Sequence, residues 1–172
     1  MSGDPPVDVT ARLEQLEARL RIVEDHAALS QLVASYGPAV DSGSADAAAQ
    51  LWREDGVFDV AGYFELVGHE GIAGMVNGDG HQALIHDGCG HVLTAPRLVV
   101  DGDDAKGWNY AFNIRWDPAA DRFWIARLSA NEWTFRRGAF GWRVVRRTNV
   151  NLDGSQVPRS LLAAAAAQPL WT

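Results

Sequence analysis

Three long segments of alternating side-chain character occupy the second half of the chain, after a first half with helical periodicity. In residues 108–116 the alternate positions carry Trp108, Tyr110, Phe112, Ile114 and Trp116. This period of two is typical of a strand with one apolar face, and Asn109, Ala111, Asn113 and Arg115 form the other face. Residues 122–136 and 142–150 predict two further strands. Meandering strands after helices predict an α+β fold, with helices packed on a curved antiparallel sheet.

The first half predicts one long helix over residues 11–40 that kinks or ends near Tyr36. Apolar residues step by three and four along its beginning, at Leu13, Leu16, Leu20, Val23 and Ala27. This narrow seam predicts an extension that packs on another subunit or along its own domain. The interruption is expected at Gly37-Pro38, because proline lacks the backbone donor and clashes with the preceding turn.

The remaining elements are short. Helices are predicted over 46–52 and 70–76, two strands within 56–67 around Ala61-Gly62, and one strand over 93–100. With 172 residues the chain fits one domain, which we place at 10–157. Residues 1–9 predict a disordered tail, and residues 158–172 a helical tail.

Charge and cysteine content narrow the functional classes. The net charge of −7 argues against nucleic acid or an anionic membrane as partner, because both require a basic surface. A single cysteine excludes an internal disulfide. There is no apolar run of about 18 residues, and the N-terminus lacks the layout of a signal peptide. We therefore expect a cytoplasmic protein.

Residues 81–91 contain three histidines and the single cysteine, at His81, His86, Cys89 and His91. A structural zinc site uses four ligands in closely spaced pairs, and only His86-x2-Cys89 has such spacing. We predict no metal and no cofactor, with His81 and His86 as exposed polar residues and Cys89 as a small buried one. His91 begins a strand among apolar neighbours, and is either a satisfied core residue or a base that faces a cavity.

Three stretches resemble the SnoaL-like and scytalone dehydratase-like group of the NTF2-like superfamily. The first is RIVEDHAALSQLVASYGPAVDSGSADAAAQLWREDGVFDV, residues 21–60, with Tyr36-x4-Asp41 at the helix end. The second is His91-x2-Thr94-x2-Arg97-Leu98, and the third is Ala130-Asn131-Glu132-Trp133 with Gly141-Trp142-Arg143-Val144 behind it. The resemblance spans about residues 20–155. It implies a cone of curved sheet and helices around a mostly apolar pocket.

The resemblance also implies a chemistry. Lyase-like members such as bile acid 7α-dehydratase, scytalone dehydratase and hexachlorocyclohexane dehydrochlorinase place an Asp near the end of the first helix beside a His on a strand, and Asp41 and His91 occupy those positions. Elimination of water needs a base for the carbon-bound proton, here His91, which Asp41 would orient. Tyr36 would polarise a carbonyl. Positions five apart on a helix point about 140° away from each other, so Tyr36 and Asp41 share a pocket only if the Gly37-Pro38 break re-aims them.

The expected substrate is a hydrophobic cyclic hydroxy ketone such as a steroid or polyketide. Alternatives are an isomerase or cyclase in the same pocket, or a non-catalytic module that binds a small molecule. Ketosteroid isomerase chemistry is disfavoured, because Asp59 lies one residue before the matching position. Family likeness and the leucine seam favour a homo-oligomer, dimer or trimer. The predicted substrate-binding residues are Asn131, at the position of an oxyanion-hole acid, together with Asn113, Arg146, Trp52 and Trp133.

Overall fold

Helices and strands follow one another as the periodicity predicts, with the helices mostly first. The computed structural model describes residues 8–60 and 63–169. Residues 1–7 of the predicted disordered tail over 1–9 lie outside these residues, as do the Ala61-Gly62 turn and residues 170–172. The tail prediction is wrong for residues 8 and 9, where α1 begins. The elements are α1 (Val9–Asp41), α2 (Ala45–Ala49), β1 (Trp52–Val60), β2 (Phe64–Val67), α3 (Gly68–Asn77), α4 (Asp79–Asp87), β3 (Cys89–Leu93), β4 (Arg97–Asp101), β5 (Asp104–Asp117), β6 (Arg122–Gly138), β7 (Gly141–Asn151) and α5 (Gln156–Ala166).

The strands form one curved, open sheet in the order β2-β1-β7-β6-β5-β3, with β4 also paired to β5. The three predicted long strands are β5, β6 and β7, and they meander antiparallel. β1 pairs with β7 in parallel. The predicted α+β class is therefore confirmed. The predicted antiparallel sheet is mixed at this one pair, because β7 lies beside β1 and runs in the same direction, while the other pairs are antiparallel.

The first helix does not end near Tyr36. Asp8 caps its start by accepting a hydrogen bond from the backbone N–H of Ala11. The helix then runs through Pro38 to Asp41. Pro38 is exposed, so the carbonyl that loses its partner can bind water. Burial of Leu29, Val33, Tyr36 and Val40 on the other side of this half stabilises the helix by more than the roughly 3 kcal/mol that a proline costs.

The two halves of α1 differ in burial. The predicted apolar seam of the first half is between 45% and 64% exposed at Leu13, Leu16, Leu20 and Val23. Against the described residues it stays largely uncovered, and packing on another subunit stays a prediction. The second half packs on β3, so the end of α1 lies against that strand.

Several predicted strand details are wrong for reasons of curvature and register. Residues 93–100 are not one strand, because the chain leaves the ladder at 94–96 between β3 and β4. Trp52 begins β1 and does not end a helix. On β5 the aromatic face lies mostly outside, with Tyr110 41% exposed, whereas Asn109 is 4% exposed. The face of β5 that carries Asn109 and Asn113 is therefore the inner one, which faces the helices.

The C-terminal helix is shorter than predicted and covers the outer face of β5, β6 and β7. Arg97 holds its end by donating to the carbonyls of Ala165 and Gln168 at 2.9 and 2.7 Å. Within 8–60 and 63–169, none of the helices has both the length and the apolar character of a membrane span.

Candidate functional site

A pocket of about 330 Å³ opens between the inner face of the sheet and helices α1, α3 and α4. Its apolar wall comes from β1, β2 and the helices, through Phe58, Val60, Phe64, Met75 and Leu84. Its polar wall comes from α1, α4 and strands β3, β5, β6 and β7, through Tyr36, His81, His91, Asn113, Arg127, Arg147 and Asn149. The pocket is therefore more polar than the resemblance implies.

A larger groove of about 900 Å³ lies between α1, α2 and the turn from β6 to β7. Among the described residues that line it, Arg143 is the only charged one, and there is neither a histidine nor a carboxylate. Of these two cavities, only the smaller one is lined by histidines.

Asp41 and His91 are in direct contact at the edge of this pocket. Nδ1 of His91 lies 2.5 Å from Oδ1 of Asp41, and the backbone N–H of His91 donates to Oδ2 at 2.8 Å. An ionised carboxylate only accepts, so Nδ1 carries the proton in the neutral ring. Nε2 is then left with a free lone pair. This arrangement orients an imidazole as a base.

The carboxylate of Asp41 is held in its charged form. Burial by itself raises the pKa of this carboxyl, but hydrogen bonds from the ring and the backbone of His91 outweigh burial, and the pKa lies below its ordinary value. Cys89 adds a weak S–H contact to Oδ1 at 3.8 Å. Burial, then the charge of Asp41, raise the pKa of the Cys89 thiol, so this cysteine is a poor nucleophile.

Gly37 sets the distance between α1 and β3. A Cβ atom at this position would lie 2.3 Å from the carbonyl oxygen of His91, closer than any real contact. Gly37, which the sequence predicts to interrupt the helix, is thus the point where the backbones of α1 and β3 approach closely. It lets the end of α1 come near enough for Asp41 to reach both nitrogen donors of His91.

Tyr36 reaches His91 from another direction. Its ring lines the pocket and lies edge-on to the imidazole, with 6.3 Å between ring centroids. Asp41 contacts the Nδ1 side of His91 and is not in the pocket lining. The helix runs unbroken through Gly37-Pro38, and the two residues do not share the pocket lining, since Tyr36 and Asp41 lie on different sides of one imidazole.

His81 is a pocket residue that the sequence interpretation missed. It is buried, its ring stacks on that of His91 at 5.5 Å between centroids, and its Nε2 lies 2.8 Å from the carbonyl of Val40. A carbonyl only accepts, so Nε2 is the donor and Nδ1 is free. His81 lies on α4, five residues after Val76, so the spacing of the buried residues Ile72 and Val76 of α3 gave no periodic signal for its burial. His86 is exposed, as predicted.

The predicted asparagines have separate positions. Asn113 lines the pocket beside His91, since the two are paired across β3 and β5. Asn131 is fully buried behind the lining, where its Oδ1 accepts from Nε of Arg147 at 2.9 Å and from Nδ2 of Asn149 at 2.8 Å. The Oδ1 atom of Asn131 thereby holds Arg147 in place.

Arg147, and not Arg146, faces the pocket. The expected alternation of Trp142, Val144 and Arg146 is interrupted, because β7 shifts register between Val144 and Arg146 against both neighbouring strands. This bulge turns Arg146 outward, where it binds Asp59 at 2.8 Å and also Glu65. The prediction that Arg146 reaches the pocket mouth is therefore wrong, since a bulge reverses the faces of a strand.

Trp52 and Trp133 form the layer behind the pocket. Both are 1% exposed, and both rings lie next to Tyr36, at 5.9 and 6.5 Å between centroids. Trp133 donates from Nε1 to the Oδ1 of Asn109 at 2.9 Å. They are packed core residues that support Tyr36, and neither is in the pocket lining.

Asp41, Cys89 and His91 also bring possible metal-ligand atoms within 4.8 Å of one another. A metal ligand must present a lone pair, whereas Nδ1 of His91 carries the proton in its hydrogen bond to Asp41. The raised pKa of Cys89 further opposes the thiolate that a metal requires. These features favour a hydrogen-bonded group over a metal centre.

Comparison with known proteins agrees with this architecture. The signature of the SnoaL-like domain matches residues 21–148. The chain is similar to an NTF2-like protein with a cystatin-like fold from Novosphingobium aromaticivorans, at 44% identity and a TM-score of 0.84, covering 87% of this chain and 96% of that one. The search of curated proteins found no match.

Two more distant solved structures share the fold. A candidate aromatic ring hydroxylase from Novosphingobium aromaticivorans is 26% identical with a TM-score of 0.62, over 76% of this chain and 90% of that one. A protein of unknown function from Mycobacterium tuberculosis is 21% identical with a TM-score of 0.65, over 89% of this chain and 86% of that one.

Proposed function

The chain belongs to the SnoaL-like family of the NTF2-like superfamily, and from this we propose that it is a cofactor-independent dehydratase acting on a cyclic hydroxy ketone. The family includes enzymes, isomerases and dehydratases among them. The observation that carries the proposal is the hydrogen bond between Asp41 and Nδ1 of His91, which leaves Nε2 as a base at the pocket. A module that only binds a ligand has no need of such an oriented base.

In the proposed reaction, Nε2 of His91 takes a proton from the carbon next to the substrate carbonyl. The electron pair of that C–H bond forms the carbon–carbon double bond, and the bond to the hydroxyl group breaks. The imidazolium returns its proton to the leaving oxygen, so water departs and His91 is neutral again. Asp41 stabilises the transient imidazolium, as a carboxylate does in a catalytic triad.

Tyr36 would assist this charge movement. Its ring lies beside that of His91, and the guanidinium of Arg147 lies over its face at 4.2 Å from the centroid. A hydroxyl donor next to a cation can stabilise the oxygen of an enolate, which forms when the carbon loses its proton. Tyr36 would therefore act on the carbonyl while His91 acts on the carbon.

The pocket size refines the proposed substrate. A volume of about 330 Å³ lies at the lower end of ligand pockets, which favours a compact ring compound over a full steroid skeleton. The similar aromatic ring hydroxylase candidate supports a ring compound as ligand. A compact polyketide or alicyclic hydroxy ketone satisfies both.

Hydrogen–deuterium exchange at carbon tests the base directly. A panel of cyclic ketones, with and without a β-hydroxyl group, is incubated in heavy water and the α-proton signals are followed by NMR. We expect exchange with wild type, with formation of the conjugated enone where a hydroxyl can leave. His91→Gln should slow exchange by about 10²- to 10⁴-fold.

His86→Gln is the matched control, since His86 lies exposed on α4 and should leave exchange unchanged. Equal exchange in wild type and His91→Gln would refute the assignment of the base. Binding of panel members without any exchange would favour the non-catalytic module. Exchange with migration of a double bond, and no loss of water, would favour an isomerase or cyclase.

Self-association is a second proposal, resting on the exposed apolar seam of α1. Leu13, Leu16, Leu20 and Val23 lie exposed on one helix at heptad-like spacing, an arrangement typical of helices that pair. We expect sedimentation velocity to show a dimer or trimer, and Leu16→Lys to shift it toward the monomer. Gln15→Lys, at an exposed residue of α1 outside the seam, adds the same charge and is the matched control.

A further inference from the structure

Arg147 is a buried cation for which the described part of the chain provides no anion. Its side chain lies among Tyr36, Phe58 and Trp133, with the guanidinium carbon 4.2 to 4.5 Å from each ring centroid. The residue is 3% exposed, and Nη1 has no hydrogen-bond partner among the described residues. Nε is held by Asn131, a neutral amide.

Arg127 is a second cation on the same wall, and it too is held by amides. Nε donates to Oδ1 of Asn151 and Nη2 donates to Oδ1 of Asn149, both at 2.5 Å. Arg127 lines the pocket next to Asn113, its partner across β5 and β6. His91 is paired with Asn113 in turn, so Arg127 and His91 flank Asn113 along one row of the inner face.

Two other arginines, Arg137 and Arg146, have the carboxylate partners that Arg127 and Arg147 lack among the described residues. Arg137 binds Asp25 and Arg146 binds Asp59, so each guanidinium has a carboxylate. Within residues 8–60 and 63–169, neither Arg127 nor Arg147 forms an ion pair. A buried charge without a counter-charge is strongly unfavourable, and arginine stays protonated at any physiological pH.

We propose that the ligand is an acid, a compact ring compound whose carboxylate lies between Arg147 and Arg127. A guanidinium presents its N–H groups in a plane that matches a carboxylate, and Nη1 of Arg147 is free to donate. The apolar wall of Phe58, Val60 and Leu84 would receive the ring. The inference deepens the proposed function, and rests on it only in taking the same pocket as the substrate site.

This arrangement would also orient the substrate. The carboxylate end would be bound at the β6–β7 side, while His91 on β3 would face the other end of the molecule. Both arginines are immobilised by their amide partners before the ligand arrives, so little ordering is needed on binding. The carboxylate would therefore fix which carbon is presented to His91.

Binding of matched acid and amide probes tests the proposal without turnover. Benzoate and cyclohexanecarboxylate are compared with benzamide and cyclohexanecarboxamide by calorimetry, with the fluorescence of Trp133 and the other tryptophans as a second readout. We expect the acids to bind at least tenfold more tightly than their amides. Arg147→Met should weaken acid binding by about ten- to a hundredfold and leave amide binding unchanged.

Arg146→Met is the matched control, because Arg146 is the next residue on β7 and points outward. Thermal unfolding of each variant verifies that it is folded, and Arg127→Met provides a second variant should Arg147→Met fail to fold. The inference is overturned if acids and amides bind equally, if neither binds, or if Arg146→Met weakens acid binding as much as Arg147→Met.

Two further binding measurements distinguish the proposed carboxylate site from the proposed base and from a site for another anion. His91→Gln should bind the acids as wild type does, so a failure of the proposed base leaves the anion site intact. If a nitrophenolate binds and the carboxylates do not, the arginines bind an enolate-like oxygen. This result would overturn the carboxylate assignment.

Discussion

Two aspartates on α1 mark the two ends of its buried half, and they bind very different partners. Asp25 accepts two hydrogen bonds from Arg137, each at 2.6 Å, and one from Nε1 of Trp142 at 3.1 Å. Asp41 accepts from the ring and the backbone of His91. The side chain of Asp25 is 8% exposed and that of Asp41 is 26% exposed.

The chemistry of the partner distinguishes an ion pair that stabilises the fold from one that can take part in proton transfer. Arg137 is a permanent cation, so its pair with Asp25 cannot exchange a proton and only holds α1 to the hairpin of β6 and β7. Histidine is a side chain that can gain and lose a proton, whereas arginine keeps its proton, so only the pair of His91 with Asp41 can take part in proton transfer. Each pair lies where the helix meets the sheet, and the partner's chemistry decides its use.

The largest expected effect is that of Asp41→Asn on exchange at carbon. An amide can turn its NH₂ toward Nδ1 of His91, which favours the tautomer with the proton on Nε2 and removes the free base. We expect exchange to fall by about 10²- to 10⁴-fold, while the free energy of unfolding falls by about 1 kcal/mol. Asp87→Asn, on exposed Asp87 of α4, should change neither.

Nitrogen NMR of the His91 imidazole checks the cause, because the two tautomers have distinct nitrogen shifts. Protonation at Nε2 in Asp41→Asn and at Nδ1 in wild type is the expected pair of results. If the tautomer is the same in both proteins, Asp41 does not orient His91 and the comparison of the two aspartates fails.

Asp25→Asn should show the opposite pattern, with stability lost and chemistry kept. Removing the charge weakens three hydrogen bonds at a buried carboxylate, which we expect to cost about 2 to 3 kcal/mol of unfolding free energy. Denaturant unfolding measures this change. Asp103→Asn removes the exposed partner of the same Arg137 and should cost less than about 1 kcal/mol. A similar cost for both variants would refute the structural role of Asp25.

Gly37→Ala should disturb the Asp41 end alone. The added methyl group would meet the carbonyl oxygen of His91 at 2.3 Å, so the helix or β3 must shift. We expect a loss of about 1 to 3 kcal/mol and altered NMR signals for His91. Gly74→Ala on α3 meets no atom within 4 Å and should stabilise the protein by about 0.5 to 1 kcal/mol. Equal stability of the two variants would show that the close approach at Gly37 is dispensable.

The smallest expected effect is the pH dependence of stability. The pKa of Asp25 is lowered chiefly by the hydrogen bonds from Arg137, and hydrogen bonds from His91 lower that of Asp41 in spite of its burial. A lowered pKa in the folded state means that both contributions are complete above the ordinary value of 3.8 and are lost as the pH falls below it. The double variant with Asn at both positions should therefore lose less stability than wild type in acid. An equal acid slope would contradict this account.

The sequence predicted the fold well where the signal was local. The period of two in β5 to β7 and the helical period of α1 depend on neighbouring residues only, so the element types and the α+β class follow from them. The resemblance placed Asp41 and His91 near each other, and the structure brings them into hydrogen-bond contact. Their catalytic roles stay proposals.

Other features could not be predicted, because they depend on contacts between distant segments. Pro38 is tolerated because its missing donor faces solvent while the opposite side of α1 is buried. The burial of His81 depends on the carbonyl of Val40, which is 41 residues away along the chain. The outward turn of Arg146 depends on a bulge against two other strands.

The kinds of elements, their order, and the residue types available for acid–base chemistry follow from the order of the amino acids alone. Which side of each strand is inside depends on how the chain packs, and so does the presence of Arg147 and Arg127 in the pocket lining without carboxylate partners among the described residues. The physical reason is that periodicity is a property of neighbouring residues. Sheet curvature, strand register and the approach of α1 to β3 at Gly37 set which side chains face the helices, which are buried and which charges are paired.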